Sequence, residues 1–401
     1  MIPLRRFTLV SWSLAFTLVV FGCQPSAQKQ STSSSSSDSP KGAAPPESAL
    51  PKAPAVPSHR DFNDTARFIA GMQPESGSTL ADLSARPEWG KYAASFDKNW
   101  AKLDSTRVAP MRKWASENLH AGNSTLFYPF SGPDFLHATT FFPSANAYVL
   151  VALEPAGAVP DFHQMAPDAM DQFFATVDRS LDSLLSFSFF KTDNMKVDVK
   201  QDLEGTLPIL MLFLARTGNR VDDVASIEVD GGGNIVAAGT AKLAAGARPA
   251  TGVDIAFRGA EGAQKHLYYF SVNLQNDYLK KSVFASYMAK LDGVNTYLKS
   301  ASYLMHKSYF STVRSAILDR SALLVQDDSG VPYHFIKSDK WDISLYGVYS
   351  SPIAMFKEHK EDDLVDAYKE ANRAKPLPFG IGYNWRTGQS NLLVARKKTS
   401  T

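Results

Sequence analysis

The chain contains almost no cysteine: Cys23 is the only one among 401 residues. A single thiol excludes an intramolecular disulfide, a cysteine-rich zinc site and a paired-cysteine redox centre. The chain also lacks an excess of charge of either sign, since 42 basic residues face 40 acidic ones. A chain so balanced carries no strong basic field that would hold a nucleic acid, and we predict no nucleic-acid partner.

Several motifs that mark enzymes are also missing. The chain has no HExxH metal motif, no GxSxG nucleophile motif and no phosphate-binding P-loop. The triple glycine Gly231-Gly232-Gly233 is followed by Asn234 and lacks the Lys-Ser/Thr pair of a P-loop, so it predicts a turn. On these grounds we predict no cofactor and no resident metal ion.

The N-terminus carries a short basic segment and then an apolar one. Two arginines precede an uncharged stretch from Phe7 to Phe21, and Gly22 stands before Cys23. This order predicts a secretory signal peptide over residues 1–22. The stretch is shorter than the roughly 20 apolar residues that a membrane-spanning helix needs.

The residues around the lone cysteine resemble a lipidation motif. Val20-Phe21-Gly22-Cys23 resembles the lipobox of bacterial lipoproteins. The resemblance implies that the Cys23 sulfur receives a diacylglycerol, that residues 1–22 are removed, and that Gln24 sorts the protein to the outer membrane. Several acyl chains hold a protein on a membrane durably. The alternative is a cysteine that lies by chance near an ordinary cleavage site.

A segment of different composition follows the cysteine. Residues 23–58 contain the serine run Ser33–Ser37, six prolines after that run and no aromatic residue. Such a segment buries too little apolar surface to offset the entropy of ordering the chain. We therefore predict a disordered tether that joins the lipid anchor to a folded body, residues 59–401.

Periodic apolar patterns in the body predict both helices and strands. Residues 167–187 and 207–215 have the apolar spacing of helices, and residues 147–153 have the composition of a buried strand. Short apolar runs separated by turn signals over residues 224–275 predict an antiparallel meander. Together these patterns predict an α+β fold.

The folded body is long for a single hydrophobic core. We therefore expect two lobes, residues 59–223 and 224–401. In the second lobe, apolar residues at alternating steps of three and four predict one long helix over residues 284–305.

Two stretches of the body look alike, which suggests an internal duplication. Phe135-Leu136-His137 is followed by the strand-like run Val149–Val151. In the second stretch, Tyr303-Leu304-Met305-His306 is followed by the run Leu323–Val325. The duplication predicts two related lobes with a cleft between them. The alternative is two unrelated buried strands that end in turns.

Carboxylates at these strand ends are the candidate catalytic residues. Glu154 and Asp327 each follow a predicted strand, and Asp134 and His334 lie beside the same segments. Two carboxylates that come close together can share a proton or hold a cation. The string Asp327-Asp328-Ser329-Gly330 has a simpler interpretation as a turn, because Asp and Ser bond their own backbone there.

Two functions of different classes remain open. The first is a non-enzymatic, lipid-anchored protein of the bacterial cell envelope that binds an envelope protein or a ligand between its lobes. The alternative is an envelope hydrolase that uses carboxylate and histidine chemistry at the same cleft. A solute-binding lipoprotein is a third hypothesis, for which a clearer alternation of strands and helices is expected.

Overall fold

The computed structural model describes residues 61–120, 124–187, 203–370 and 374–398. The signal peptide, Cys23 and the tether of residues 23–58 lie outside these described residues. Export, lipidation and disorder of the tether therefore stay predictions.

Helices open the described chain. The Asp61 side chain accepts the backbone N–H of Asp64 at 3.0 Å and so satisfies one of the donors that a first helical turn leaves unpaired. Pro87 begins the third helix, where its missing N–H removes no hydrogen bond. The helices are α1 Phe62–Ile69, α2 Ala81–Ser84, α3 Pro87–Leu103 and α4 Ala109–Asn118, with a π-helical turn, Asp104–Val108, before α4.

Eleven strands follow within the described residues. They are β1 Thr125–Pro129, β2 Ala147–Ala152, β3 Arg220–Val229, β4 Ile235–Ala237, β5 Thr251–Arg258, β6 Gln264–Ser271, β7 Val294–Leu298, β8 Ser321–Gln326, β9 Trp341–Gly347, β10 Ala374–Lys375 and β11 Asn391–Lys397. They form a single sheet in the order β10-β9-β11-β8-β7-β1-β2-β6-β5-β3-β4. The central strands β8, β7, β1, β2 and β6 are parallel, and both flanks contain antiparallel pairs.

The remaining helices connect these strands. They are α5 Phe135–Phe141, α6 Pro167–Phe187, α7 Leu207–Arg216, α8 Asn276–Leu279, α9 Phe284–Lys290, α10 Ser311–Arg320 and α11 Asp362–Lys369. Short 3₁₀ turns occupy Leu304–His306, Ser308–Phe310, Tyr333–Phe335 and Ala354–His359. In the described part of the chain, no helix combines the length and apolar character that crossing a membrane requires.

The predicted α+β class is confirmed. The predicted helices over 167–187 and 207–215 are present, and the predicted strand over 147–153 is β2. The meander is present as β3 to β6, which pair in antiparallel fashion. Every residue of α7 from Leu207 to Ala215 is buried, as its nearly continuous apolar sequence predicts.

The predicted long helix over residues 284–305 is wrong. Helix α9 ends at Lys290, Gly293 takes a left-handed φ of 60°, and the chain then forms β7. All five residues of β7 are buried, so the strand shows no alternation of apolar and polar positions. Because apolar and polar residues do not alternate in β7, the four-residue spacing of Val294 and Leu298 is also compatible with a helix. The apolar pattern of the helix therefore continued in the sequence beyond Lys290, where the helix ends.

The sheet separates two hydrophobic cores. Along β1, Leu126 and Tyr128 belong to one core, whereas Phe127 between them belongs to the other. This alternation is expected because successive side chains of a strand point to opposite faces. Helix α5 packs into the first core through Phe135, and α10 packs into the second through Val313.

The two similar stretches occupy matching places in the sheet. β1 and β7 are parallel neighbours in which Leu126 pairs with Asn295. The number of residues between Leu126 and Asn295 in the sequence is the same as the number between His137 and His306. From β1 the chain passes through α5 to β2, and from β7 it passes through α10 to β8 on the other side. This arrangement favours the duplication hypothesis.

Both predicted lobes contribute to this one sheet. β3 spans the boundary between residues 223 and 224, and β1 of the first lobe lies directly beside β7 of the second. The division into lobes 59–223 and 224–401 stays a prediction. The strands that precede the two similar stretches, β1 and β7, lie next to each other, and the strands within the stretches, β2 and β8, lie on their outer sides.

Candidate ligand-binding site

The centre of the sheet contains a topological switch point. β1 and β7 run in the same direction, but their connections lead away from each other, to β2 and to β8. In open parallel sheets such a divergence leaves a crevice beyond the carboxyl ends of the strands, where ligands bind. Loops that follow β1, β2, β6 and β7 line a cavity of about 290 Å³ at this place. We call it the strand-end pocket.

The strand-end pocket has a polar side and an apolar side. Its polar lining includes Tyr128, Ser131, Asp134, Lys299, Ser300 and Ser302. Its apolar lining includes Phe130, Val151, Val272, Leu274, Leu304 and Phe310. A concave apolar site with a few convergent polar groups is the usual form of a small-molecule site.

A buried ion pair forms the floor of the pocket. Lys299 Nζ lies 2.7 Å from Asp134 Oδ2, and both side chains are almost completely buried. Asp134 Oδ2 also accepts the hydroxyl of Tyr128 at 2.8 Å, and Asp134 Oδ1 lies 2.7 Å from His137 Nδ1. A buried charge pair is tolerated when both charges are paired and hydrogen-bonded, as they are here.

Local sequence explains how Asp134 reaches this position. It follows the turn Phe130–Pro133 and is the N-cap of α5, where its Oδ1 accepts the backbone N–H of His137 at 3.2 Å. Lys299 follows β7 directly, so the two charged residues come from the equivalent ends of two adjacent parallel strands.

The floor carries one positive and one negative charge. Burial alone would raise the pKa of Asp134, but the neighbouring His137 and Lys299 outweigh burial and bring that pKa below its usual value. Burial lowers the pKa of Lys299, an effect that Asp134 partly offsets. Burial also lowers the pKa of His137, so its imidazole is neutral near pH 7.

The loop that follows β7 has an unusual backbone. Ser300, Ser302 and Tyr303 all have φ of 52°, and Phe130 in the equivalent loop after β1 has φ of 61°. Residues with a Cβ rarely adopt this left-handed region, and such outliers cluster at ligand sites. The unusual backbone therefore marks both walls of the strand-end pocket.

Side chains from the next strand end hold this loop in place. Asp327 Oδ2 accepts the backbone N–H of Ser300 at 2.8 Å, and Ser329 Oγ accepts that of Ala301 at 2.7 Å. Asp328 accepts the hydroxyl of Tyr303 and the side-chain amide of Asn391. These contacts give the Asp-Ser-Gly string a supporting role behind the pocket wall.

Two buried hydroxyls at the site have no partner among the described residues, Tyr297 Oη and Ser300 Oγ. A buried polar atom without a hydrogen bond is uncommon and often marks a place for water or a ligand. Ser300 belongs to the pocket lining, so one of these two atoms lies in the pocket wall.

The four candidate catalytic residues are divided among three places. Asp134 and Glu154 both line the strand-end pocket. Asp327 is buried behind the wall, and it contacts the pocket only through the loop it holds. His334 is exposed outside the pocket, in the turn Tyr333–Phe335, where it lies near Glu361 and Asp363.

Sequence reasoning missed the most central residue, Lys299. It lay inside the segment predicted as a long helix, where a lysine indicates no more than a solvated position. A signal for it was present in the duplication, since Lys299 follows β7 at the point where Phe130 follows β1. The carboxylate pair was sought between Glu154 and Asp327, whereas the structure pairs Asp134 with a lysine.

Comparison of the chain with protein-family models, with curated proteins and with solved structures found no match. The functional argument therefore rests on the geometry of the strand-end pocket.

Proposed function

We propose that this protein is an exported, lipid-anchored protein of the bacterial cell envelope that binds a small ligand in the strand-end pocket. One observation carries the binding function: a cavity of about 290 Å³ lies at the switch point of the parallel strands. The envelope location depends on the signal peptide and the lipobox-like residues before Cys23.

The lining of the pocket indicates the chemistry of the ligand. Lys299 and Asp134 neutralise each other, so the floor offers hydrogen-bond donors and acceptors without net charge. Phe130, Leu304 and Phe310 provide apolar walls. A small amphiphile with an uncharged polar end and an apolar body matches this division, because an anionic end would be desolvated near Asp134 and Glu154 without a free counter-charge.

Binding is favoured over hydrolysis by the state of Asp134. Both of its oxygens already have hydrogen-bond partners, His137 on one and Tyr128 with Lys299 on the other. Its lowered pKa keeps it ionised, whereas a general acid needs a pKa close to the working pH. Asp134 therefore suits a fixed floor better than a proton donor. The hydrolase alternative is supported by Glu154, a second carboxylate in the lining.

Matched amphiphiles test the proposed binding. Calorimetric titration of the purified body should detect octanamide, with octanoate at least tenfold weaker because its carboxylate would be buried near Asp134 and Glu154 without a free counter-charge. Ala152→Phe places a ring at the end of β2 in the pocket and should abolish binding of octanamide.

The same substitution on the surface is the control, since Ala101 is exposed on α3 and Ala101→Phe should leave binding unchanged. Equal affinity in the two variants would contradict the pocket as the site. Release of octanoate from octanamide that disappears in Glu154→Gln would favour the hydrolase alternative instead.

The proposed anchor has a separate test. Cys23→Ala in the full chain, expressed in a Gram-negative host, should move the protein from the membrane fraction to the soluble fraction, because the sulfur that would receive the lipid is gone. Ser33→Ala in the predicted tether is the matched control and should remain with the membranes. Unchanged fractionation of the Cys23 variant would contradict the lipid anchor.

A further inference from the structure

A second cluster of polar side chains lies outside the strand-end pocket. His334, Glu361 and Asp363 each offer one ligand atom, and these atoms lie within 4.8 Å of one another. His334 belongs to the 3₁₀ turn after β8, Glu361 is the N-cap of α11, and Asp363 stands in the first turn of that helix. The three residues therefore come from two segments that the fold brings together.

A buried histidine faces this cluster without a hydrogen bond. His306 Nε2 has no partner among the described residues, and only 10% of the His306 side chain is exposed. Its nearest acidic atom is Glu361 Oε1, at 3.9 Å, which is too long for a hydrogen bond. A nine-tenths buried imidazole nitrogen that points at a carboxylate without contacting it leaves room for an atom between them.

Among the described residues, the Glu361 carboxylate has no lysine or arginine as an ion-pair partner. Its side chain is buried, and its Oε2 accepts the backbone N–H of Tyr333 at 2.6 Å. Across the described ranges, no lysine or arginine pairs with it within 4 Å, and His306 is its one ion-pair contact. Buried carboxylates are normally paired with a cation or coordinate a metal.

We infer that His306, His334, Glu361 and Asp363 form a binding site for a divalent transition metal, Zn²⁺ being the best match. Two imidazoles and two carboxylates are a ligand set that zinc accepts in tetrahedral geometry, whereas calcium and magnesium prefer oxygen ligands alone. Ligand bonds of about 2.0–2.2 Å place neighbouring ligand atoms roughly 3.3–3.6 Å apart. The ligand atoms of His334, Glu361 and Asp363 lie within 4.8 Å of one another, and His306 Nε2 lies 3.9 Å from Glu361 Oε1, so the side chains must move inward to close the site.

The bound metal would join elements that also shape the strand-end pocket. His306 ends the 3₁₀ turn Leu304–His306, and Leu304 at the start of that turn lines the pocket. His334 and Glu361 belong to other segments, the turn after β8 and the start of α11. A cation here would therefore fasten the loop after β7 to the body of the fold.

Metal titration of the purified body tests this inference. Equilibrium dialysis after chelator treatment should show one Zn²⁺ per chain, with Mg²⁺ and Ca²⁺ at least a hundredfold weaker. Co²⁺ in place of Zn²⁺ should give the visible absorption of a tetrahedral site. Binding of Zn²⁺ should also raise the midpoint of thermal unfolding, because the metal binds the folded state.

Two exposed ligands allow the site to be weakened without disturbing the core. His334→Ala and Asp363→Asn should each lower the Zn²⁺ affinity at least tenfold, while circular dichroism confirms that both variants fold. His163, an exposed histidine beside Asp161, provides the control, and His163→Ala should bind as tightly as the wild type. Failure to retain one equivalent of Zn²⁺, or equal affinity in all three variants, would overturn the assignment.

Discussion

Replacing Lys299 by methionine should lower the free energy of unfolding by about 3–5 kcal/mol. The substitution keeps most of the side-chain volume but removes the charge that lies 2.7 Å from Asp134 Oδ2. Asp134 is then left ionised and buried with only neutral partners, Tyr128 and His137, and an uncompensated buried charge is strongly destabilising. Equilibrium unfolding in urea, followed by circular dichroism, measures the loss.

A double variant and an exposed pair provide the controls. Lys299→Met combined with Asp134→Leu should recover much of the loss, since removing both partners leaves no charge behind. Lys113 and Glu117 form an exposed ion pair on α4, where Lys113→Met should change the stability by less than about 1 kcal/mol. A similarly small effect of Lys299→Met would mean that the buried ion pair is not what holds the floor together.

Asp327→Asn should become more stable relative to the wild type as the pH rises from 4 to 8, by about 3 kcal/mol in total. Burial, reinforced by the negative charge of Asp328, raises the pKa of Asp327 to about 6. The folded wild type then binds a proton that the unfolded chain has already released between pH 4 and pH 6. The contribution of Asp327 to stability is greatest below that interval and falls as the pH rises through it. The asparagine variant lacks this contribution and keeps that of Asp328, whose pKa burial also raises.

The measurement is the difference between the two unfolding free energies at each pH. Buried His137 has a lowered pKa and makes the fold less stable as the pH falls, but this contribution is common to both proteins and cancels. Asp134→Asn is the comparison of opposite sign: the pKa of Asp134 is lowered, so this variant should lose stability relative to the wild type as the pH rises toward 4, below the interval in which Asp327 acts. A pH-independent difference for Asp327→Asn would show that Asp327 is fully ionised in the folded protein.

Elements whose pattern is local were predictable from the sequence. The continuous apolar sequence of α7 predicted a helix that is buried on all sides. The glycine turn predicted the hairpin that β3 and β4 form. β7 was missed because a strand buried on both faces has no alternation, so the helical spacing continued through it. Gly293 was the residue that marked the true boundary, since its left-handed φ begins a new element.

The site was predictable only in part, for a related reason. Asp134 and Glu154 were found because carboxylates that follow a strand or a turn are easy to identify. Their partners depend on which strands become neighbours, and the pairing of β1 with β7 joins residues far apart in the chain. The same limit applies to His306 and Glu361, whose segments carry no ligand spacing that a sequence pattern would reveal.

The width of the sheet has a consequence for molecules that crowd together. Open sheets rarely exceed about 10 strands, and a wide sheet with long free margins would invite other copies to add to it. Among the described residues the outermost strands are β10, with two residues, and β4, with three, so each outer strand offers few backbone groups, while most of β9 and of β3 extends beyond its short neighbour. The lipid anchor proposed for Cys23 would confine the molecules to two dimensions, where they would collide often. Short outer strands would then offer a poor template for polymerisation strand by strand.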